Sequence, residues 1–361
     1  MKSVNYHRHL LLFMSIGILF LSCTKSGGGS TAKTNTVSTI AGSVSAGAGD
    51  GIGGAASFTY PSAIVTAGAS TMFIGDFGNN LVRSVTLSTN TVNTFAGTVT
   101  PGFLNGPAAS AKFRGTANLV FDVSGNLFVA DEENHMIREI TTAGNVITVA
   151  GTGTAGYKDG AAASAQFNGP EGMVFDASGN LYVADGHNNV IRKINIASAT
   201  VSTYAGTGAV GFTNGVIASA TFNSPYGMAT DASGNIYVTD VVNNAIRKIT
   251  VSTGTVSTFA GTGAKGLANG PAASATFYYP LGCFFDSGGN MYVSDTYNNV
   301  IRRISSTGNV TTFAGTGVAG SADGPASTAS FDFPIGITVS GNGIYVTDTH
   351  NNEIRKITIG Q

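Results

Sequence analysis

The segment GNLYVADGHNNVIRKI, residues 179–194, decides the fold, because versions of it recur six times along the 361-residue chain. In every copy an Asp closes a short apolar run, and an Arg follows seven positions later. Successive copies of this Asp are 53 to 55 residues apart. The twelve residues are Asp76, Arg83, Asp131, Arg138, Asp185, Arg192, Asp240, Arg247, Asp295, Arg302, Asp348 and Arg355. A fixed period of this size indicates copies of one supersecondary unit, so function has to be sought where the copies differ.

Each copy contains four apolar segments separated by turns. In the third copy these are residues 172–176, 181–184, 190–194 and 201–205. The Gly-Asn pair ahead of the second segment suits a turn that needs positive φ. No segment has an apolar stripe with a 3.6-residue period, so helices are not expected. The pattern therefore predicts four antiparallel strands per copy.

The two ends of the repeat array predict a closed ring. Six four-stranded sheets with apolar residues on both faces bury them best as the blades of a propeller. The last copy stops after its third strand, whereas the array begins with an unpaired segment, residues 37–41, that matches the fourth strand of other copies. This segment is expected to complete the sixth blade, which removes an exposed sheet edge. The predicted fold is an all-β, six-bladed propeller of four-stranded blades.

Residues 1–23 are interpreted as a targeting segment. An apolar run over residues 10–21 follows two basic residues and is too short to span a bilayer. The run ends in Leu21-Ser22-Cys23, which resembles the processing site of bacterial lipoproteins, where the Cys is lipidated. An ordinary secretory signal and an uncleaved anchor are the alternatives.

The domain boundaries follow from this interpretation. Residues 24–35 form a flexible Gly/Ser tether, and residues 36–361 form the propeller. We expect a lipid-anchored protein of the bacterial cell envelope, at the outer membrane rather than the inner. Its contact with the membrane would be made by the N-terminal lipid only.

Composition and charge narrow the class further. Charged residues make up 10% of the chain, against about 25% in ordinary domains. A formal charge of −1 argues against nucleic acid as a partner. The chain has two cysteines, Cys23 and Cys283, so lipidation of Cys23 would leave no intramolecular disulfide. We expect one monomeric domain.

The repeats resemble those of the NHL-repeat family of β-propellers, which carry a G-N-x-Y-V-A-D…N-x-I-R signature. The resemblance covers roughly residues 36 to 361. It implies the propeller fold but no single function, because the family includes a zinc-dependent peptidyl lyase, receptor and adhesion ectodomains, sensor domains and RNA-binding modules. The segments that link the copies look most like those of uncharacterised bacterial envelope proteins.

Most recurring polar residues are interpreted as structural. The Asp and Arg of a copy face each other across a turn, and their presence in all copies favours structural ion pairs over a catalytic site. Cys283 replaces the Ile, Leu or Met of other first strands, which favours a buried hydrophobe over a nucleophile. Four further aspartates resemble Asx-turn residues, namely Asp122, Asp176, Asp231 and Asp286.

Interblade crossings are the segments that connect one blade to the next. Two groups of residues depart from the repeat at the end of the propeller where these crossings lie. The acidic group, in blades 2 and 3, contains Glu132, Glu133, His135, Glu171 and His187. All except His135 are candidate ligands for a divalent cation, and a solvated acidic patch is the alternative. The tyrosine group, in blades 4 and 5, contains Tyr226, Tyr278, Tyr279 and Tyr297. It could stack on a sugar ring or dock a peptide, and rim packing is the alternative.

The sequence leads to three functional hypotheses. The first is a non-catalytic, envelope-anchored propeller that binds a carbohydrate or protein partner on its loop-rich face and needs no cofactor. The second is a metal-dependent lyase or hydrolase with a site on the same face, and the third is a structural envelope protein. The resemblance also raises the three zinc-binding histidines of the lyase, which His135, His187 and His350 match in number but not in repeat position. No Gly-x-Ser-x-Gly elbow or His-Glu-x-x-His pair is present, which favours binding over catalysis.

Overall fold

The computed structural model describes residues 34–360. The predicted signal segment, Cys23 and most of the predicted tether lie outside the described residues. Residues 34–360 form six antiparallel sheets, and the short turns between strands include seven 3-10 helices. None of the helices in this part of the chain has the length and apolarity needed to cross a membrane.

The strands are numbered in chain order. They are β1 (Thr36–Gly42), β2 (Gly51–Ile52), β3 (Pro61–Ala67), β4 (Thr71–Asp76), β5 (Leu81–Thr86), β6 (Thr91–Ala96), β7 (Gly106–Pro107), β8 (Thr116–Phe121), β9 (Leu127–Asp131), β10 (Met136–Ile140), β11 (Asn145–Ala150), β12 (Gly160–Ala161), β13 (Pro170–Phe175), β14 (Asn180–Asp185), β15 (Val190–Asn195), β16 (Thr200–Ala205), β17 (Gly215–Val216), β18 (Pro225–Thr230), β19 (Ile236–Asp240), β20 (Ala245–Thr250), β21 (Thr255–Ala260), β22 (Gly270–Pro271), β23 (Pro280–Phe285), β24 (Met291–Asp295), β25 (Val300–Ile304), β26 (Asn309–Ala314), β27 (Gly324–Pro325), β28 (Pro334–Ser340), β29 (Gly343–Asp348) and β30 (Glu353–Thr358). The 3-10 helices span Gly53–Ala55, Phe77–Asn79, Glu132–Asn134, Ala162–Ser164, Gly186–Asn188, Thr296–Asn298 and Thr349–Asn351.

Each blade is one five-stranded sheet. Blades 1 to 5 are β2–β6, β7–β11, β12–β16, β17–β21 and β22–β26, and blade 6 combines β27–β30 with β1. In each sheet a two-residue strand lies at the outer edge, and the strand that follows it in the repeat, such as β13 in blade 3, lies innermost. The six innermost strands, β3, β8, β13, β18, β23 and β28, contact one another in a closed ring. The prediction of an all-β, six-bladed propeller is confirmed.

The predicted number of four strands per blade was one too low. The additional strand has two residues in the glycine-rich crossing between blades, as in Gly160–Ala161, which pairs with Val201 and Thr200. Two residues are too few to show the apolar alternation that marks a strand in sequence. This strand extends each blade at its solvent-exposed edge.

Ring closure occurs at the sixth blade. The first strand, β1, pairs antiparallel with β30, with Val37 opposite Ile357 and Ser38 opposite Lys356. On its other side β1 pairs with β27, where Val37 lies opposite Gly324. The N-terminal strand therefore completes the blade made by the C-terminal strands, as the repeat pattern predicts.

The core lies between neighbouring blades. One phenylalanine of each crossing is fully buried there, namely Phe58, Phe113, Phe167, Phe222, Phe277 and Phe331. Burying a side chain of this size stabilises the fold by roughly 1.5–3 kcal/mol. The recurring Phe of the sequence thus holds each crossing against the next sheet and fixes one end of the propeller, which we call the crossing face.

Candidate functional site

The repeat Asp and Arg form a buried ion pair in every blade. The N–O distances are 2.6 to 2.8 Å, and both side chains are fully buried. In blade 3, Arg192 Nη1 donates to Asp185 Oδ2 and to the Gln166 carbonyl, and Nη2 donates to the Lys158 carbonyl and Asp159 Oδ1. The guanidinium also lies 5.0 Å from the centre of the Phe167 ring. The ion pair therefore fastens each crossing to its own blade.

Burial dominates the electrostatics of these aspartates. It raises the pKa of Asp348 to about 7 and that of Asp76 to about 6, against the opposing effect of the neighbouring Arg and of hydrogen bonds. The desolvation of a buried pair consumes most of its Coulombic gain, so the pair orders the crossing more than it stabilises it. The role of this pair is the same in all six blades.

At five of the six joints between blades, an asparagine in the turn between the second and third strands of one blade fastens that blade to the next. Its side-chain Oδ1 accepts a hydrogen bond, of 2.9 to 3.1 Å, from the backbone N–H just before the next innermost strand. The donors in these pairs also have positive φ, which is an unfavourable conformation for bulky residues such as Tyr279 and Phe333. We call these contacts the interblade latches. The five latches join Asn80 to Gly115, Asn189 to Ser224, Asn244 to Tyr279, Asn299 to Phe333 and Asn352 to Tyr60.

His135 takes the place of this asparagine between blades 2 and 3. It has the same left-handed backbone, with φ 54°, and its Nδ1 accepts the hydrogen bond of the Gly169 N–H at 3.2 Å. This contact requires an unprotonated Nδ1. Burial and the nearby His187 lower the pKa of His135, which favours the neutral imidazole. His135 therefore forms an interblade latch only when its imidazole is neutral.

The structure brings most of the tyrosine group together on the crossing face. The ring centroids of Tyr278, Tyr279 and Tyr297 are 4.8 to 5.5 Å apart. Tyr278 and Tyr279 are half-buried, and Tyr297 is exposed. Burial and the two neighbouring tyrosines raise the pKa of Tyr297. Tyr226 lies to one side, packed with Tyr279 against a buried apolar cluster that contains Leu281.

Three further rings extend this group across blades 6 and 1. Tyr297 packs edge-on against Phe333 at 5.1 Å, Phe333 stacks on His350 at 4.3 Å, and His350 lies 6.0 Å from Tyr60. We call the six side chains the aromatic arc, which consists of Tyr278, Tyr279, Tyr297, Phe333, His350 and Tyr60. Tyr60 and Tyr297 are its most open members, each with 37% of its surface exposed. Phe333 and Tyr60 were not among the candidate residues predicted from sequence, although both directly precede the recurring Pro, as Tyr279 does.

The acidic group does not form one ligand set. The carboxyl groups of Glu132 and Glu171 lie close enough to each other to interact electrostatically, whereas Glu133 makes an exposed ion pair with Arg114 at 2.9 Å. His187 is exposed beside Gly169, and partial desolvation of its ring lowers its pKa. Within residues 34–360 no group of three or more His, Cys, Asp or Glu side chains is arranged to hold a metal ion.

The three histidines also have separate surroundings. His135 latches blade 2 to blade 3, and His187 lies nearby in blade 3. His350 lies in blade 6, stacked on Phe333 and 3.3 Å from Asp332. The three histidines therefore do not lie together as the ligands of a single zinc ion would.

All six innermost strands line a channel along the propeller axis. Its volume is about 350 Å³, and at one equivalent position each innermost strand contributes an apolar or sulfur-containing side chain to the lining. Cys283 is one of them, buried beside the other five, and burial raises the pKa of its thiol to about 12. The six side chains are Ile64, Leu119, Met173, Met228, Cys283 and Ile337.

The profile of the NHL repeat family matches residues 167–194 and 331–357, which include the second and third strands of blades 3 and 6. The chain contains NHL repeats within a six-bladed β-propeller. Its Asp–Arg ion pairs and interblade latches are built from the residues that define the repeat signature. The NHL repeats therefore account for the fold, and the aromatic arc and the Glu132–Glu171 pair are departures from them.

Curated relatives match about seven-tenths of this chain. The protein SUPPRESSOR OF QUENCHING 1 of Arabidopsis thaliana, a chloroplast protein, is 30% identical over 278 residues, which cover 72% of this chain and 26% of that protein. Human NHL repeat-containing protein 2 is 29% identical over 293 residues, which cover 71% of this chain and 40% of that protein. The chain thus spans less than half the length of these relatives.

Three solved bacterial structures share this fold. A Bacteroides thetaiotaomicron protein of unknown function superposes with a TM-score of 0.71 at 22% identity, covering 90% of this chain and 76% of that one. An auxiliary nutrient binding protein of Bacteroides ovatus gives a TM-score of 0.70 at 16% identity, covering 90% and 77%. A virginiamycin B lyase of Staphylococcus aureus gives 0.53 at 15% identity, covering 90% and 99%. At these identities the likeness shows the NHL-type propeller fold alone.

Proposed function

We propose that this propeller is a non-catalytic binding protein of the bacterial cell envelope that binds a carbohydrate on its crossing face. The aromatic arc carries this proposal. It joins six rings from three consecutive blades in one continuous contact series, and two of its tyrosines are open to solvent. Aromatic side chains with an apolar face and a polar tip suit the alternating apolar and hydroxyl faces of a sugar ring.

Backbone geometry supports a binding role for the arc. Tyr60, Tyr279 and Phe333 are held at φ 51°, 51° and 58° by interblade latches, although a glycine would adopt this conformation without strain. Strained backbone of this kind persists where the surroundings fix it and is concentrated at functional sites. The latches would present the rings in one arrangement before a ligand arrives, which reduces the entropic cost of binding.

Neighbouring folds support the same class of function. Two solved propellers of this shape, from two Bacteroides species, are described as auxiliary nutrient binding proteins. A protein partner is the other ligand class that such a rim could accept. The metal-dependent lyase or hydrolase hypothesis has less support, because Glu132, Glu133, Glu171 and His187 are engaged in different contacts.

A binding screen tests the proposal. The purified protein would be tested against oligosaccharides from bacterial and plant polysaccharides and against envelope proteins. We expect a carbohydrate to bind, and the double variant Tyr279→Ala, Tyr297→Ala to bind it at least roughly tenfold more weakly. Tyr157→Ala is the matched control, because Tyr157 is 48% exposed but packs against Arg192 outside the arc. Equal losses in both variants, or binding of proteins alone, would refute the carbohydrate site.

Envelope anchoring is a separate part of the proposal. Cys23 would carry the lipid that holds the propeller at the membrane, because it follows a short apolar segment of lipoprotein type. Metabolic labelling with a radioactive fatty acid should mark the wild-type protein and leave a Cys23→Ser variant unlabelled. Label that persists in Cys23→Ser would place the acyl chain elsewhere.

A further inference from the structure

Two carboxyl groups meet on the crossing face with no basic residue between them. Glu132 begins the turn after β9 in blade 2, and Glu171 is the second residue of β13 in blade 3. Their carboxyl groups lie close enough to each other to interact electrostatically. Glu171 is 3% exposed, and its Oε2 is buried without a hydrogen-bond partner among residues 34–360. Glu132 is partly exposed, so the pair can be reached from solvent.

The fold does not need ionisable groups at these two positions. The residues that match Glu132 in the other blades are Phe77, Gly186, Val241, Thr296 and Thr349, and those that match Glu171 are Ser62, Ala117, Tyr226, Leu281 and Ile335. Where the first position is polar, its hydroxyl is satisfied by the next blade. Thr296 and Thr349 each donate to the carbonyl of a Pro at 2.7 Å. The joint between blades 2 and 3 alone has a carboxyl pair in this place.

The nearby charges do not balance the pair. Neither Glu132 nor Glu171 makes a salt bridge within the described part of the chain, and Arg114 is engaged by Glu133. Burial and the neighbouring Glu133 raise the pKa of Glu132 to about 8, and burial and the neighbouring Glu132 raise the pKa of Glu171 well above its usual value. His187 follows Gly186, which packs against Glu171, and desolvation lowers the pKa of His187, which disfavours a positive charge there. The pair therefore keeps at least one proton at neutral pH, which the two carboxyl groups can share.

We propose that the Glu132–Glu171 pair binds a primary ammonium group of the ligand. This inference rests on the proposed carbohydrate-binding function and narrows it to sugars that carry a free amine. An ammonium donates up to three hydrogen bonds, which suits the unpartnered Glu171 Oε2 and the partly exposed Glu132 carboxylate. A divalent cation would need six or more oxygen ligands, and two carboxyls supply too few. When the ammonium binds, the shared proton leaves for solvent and both carboxylates become ionised.

Tyr226 lies next to the carboxyl pair along the backbone. It occupies the position in blade 4 that Glu171 occupies in blade 3, and its carbonyl lies against Gly172, the neighbour of Glu171. Like Tyr279, a member of the aromatic arc, Tyr226 packs against the buried apolar cluster that contains Leu281. The carboxyl pair and the aromatic arc thus lie on the same face of the propeller.

Calorimetry with small probes tests the inference. The purified protein would be titrated with n-butylammonium and with n-butanol, in two buffers of different ionisation enthalpy. We expect n-butylammonium to bind roughly tenfold or more tightly than n-butanol, with release of up to one proton. We also expect its affinity to rise as the pH increases from 6.5 to 8, because less work is then needed to remove the shared proton.

Matched variants locate the site. Glu171→Gln and Glu132→Gln should each abolish the proton release and reduce the n-butylammonium affinity at least roughly tenfold, whereas Glu139→Gln, on β10 outside the pair, should do neither. Circular dichroism would verify the fold of each variant, and proton release by the wild type needs no variant. Equal binding of n-butylammonium and n-butanol would overturn the inference, as would calcium binding that the Glu variants abolish. If carbohydrates bind through the arc but amines give no advantage, the inference fails and the proposed function stands.

Discussion

The buried Arg is the residue on which each blade depends most. Arg192 is fully buried and connects Asp185, two carbonyls and Asp159, so its loss would leave the Asp185 carboxylate buried without a cation. Removal of one partner from a buried pair costs about 3–5 kcal/mol. We therefore expect Arg192→Met to lower the free energy of unfolding by about that amount, measured by urea denaturation.

An exposed arginine supplies the control for this prediction. Arg114 also binds a carboxylate at 2.9 Å, but about half of each side chain is exposed. Surface ion pairs contribute about 0–1 kcal/mol, so Arg114→Met should change stability little. Similar losses in the two variants would show that the buried network has no special role.

Recurrence made this residue predictable from sequence, whereas a residue that departs from the repeat was harder to interpret. The Asp and Arg repeat at a fixed distance within one copy, so their contact could be inferred before the structure was known. His135 was interpreted as a member of an acidic group because its partner, the Gly169 N–H, belongs to the next blade. A single sequence does not show which backbone group a side chain meets 34 residues away.

At the scale of the element, the joint between blades 2 and 3 differs from the other five. It is closed by His135 instead of Asn, and its crossing contains Gly169 beside His187. A histidine whose pKa is lowered in the folded protein contributes stability above its unfolded pKa of about 6.5 and loses it as the pH falls through that value towards the folded pKa. This joint should therefore weaken in mild acid.

The substitution His135→Asn tests the pH dependence of the joint. Asn can accept the Gly169 hydrogen bond at any pH, as its counterparts do in five other joints. We expect the variant to lose less stability than the wild type between pH 7.5 and pH 5, measured by urea denaturation at each pH. His350→Asn is the control, because His350 makes no latch. A pH dependence unchanged by His135→Asn would show that Nδ1 protonation does not govern this joint.

The number of strands per blade was predicted wrongly from sequence, as four instead of five. The outer strand of each blade consists of two residues, often Gly-Pro, in a crossing whose composition indicates a loop. Its pairing is imposed by the sheet edge beside it and by the Arg that bonds to the preceding Asn or Asp. Local sequence pattern has no signal for a strand that tertiary contacts create.

For the whole molecule, ring closure by β1 should control stability. Deletion of residues 1–42 would remove β1, expose the edge of β30 and leave Ile354 and Ile357, both now fully buried, without their cover. An unpaired apolar edge promotes association between chains. We expect a lower melting temperature and dimers or larger species by light scattering, compared with a control that lacks residues 1–33 only. A monomer that melts at the control temperature would show that the other blades close without β1.

Across the whole molecule, the contacts that stabilise the fold recur in the repeats, whereas the candidate binding residues are departures from the repeats. Ion pairs and latches recur in the blades, whereas the aromatic arc and the carboxyl pair occur once, on the crossing face. The tyrosine group could be placed on this face from sequence, because its members interrupt repeat positions. The continuity of the arc through Phe333, His350 and Tyr60 could not, because it depends on side-chain packing between blades.

The most direct measurement for the central claim is hydroxyl-radical footprinting of the protein with and without the carbohydrate selected by the binding screen. Tyr60, Tyr297 and Tyr157 have comparable exposure, so their oxidation rates can be compared within one sample. We expect the carbohydrate to slow oxidation of Tyr297 and Tyr60 and to leave Tyr157 unchanged. Protection of Tyr157 alone, or equal rates with and without the carbohydrate at all three tyrosines, would contradict a binding site on the aromatic arc.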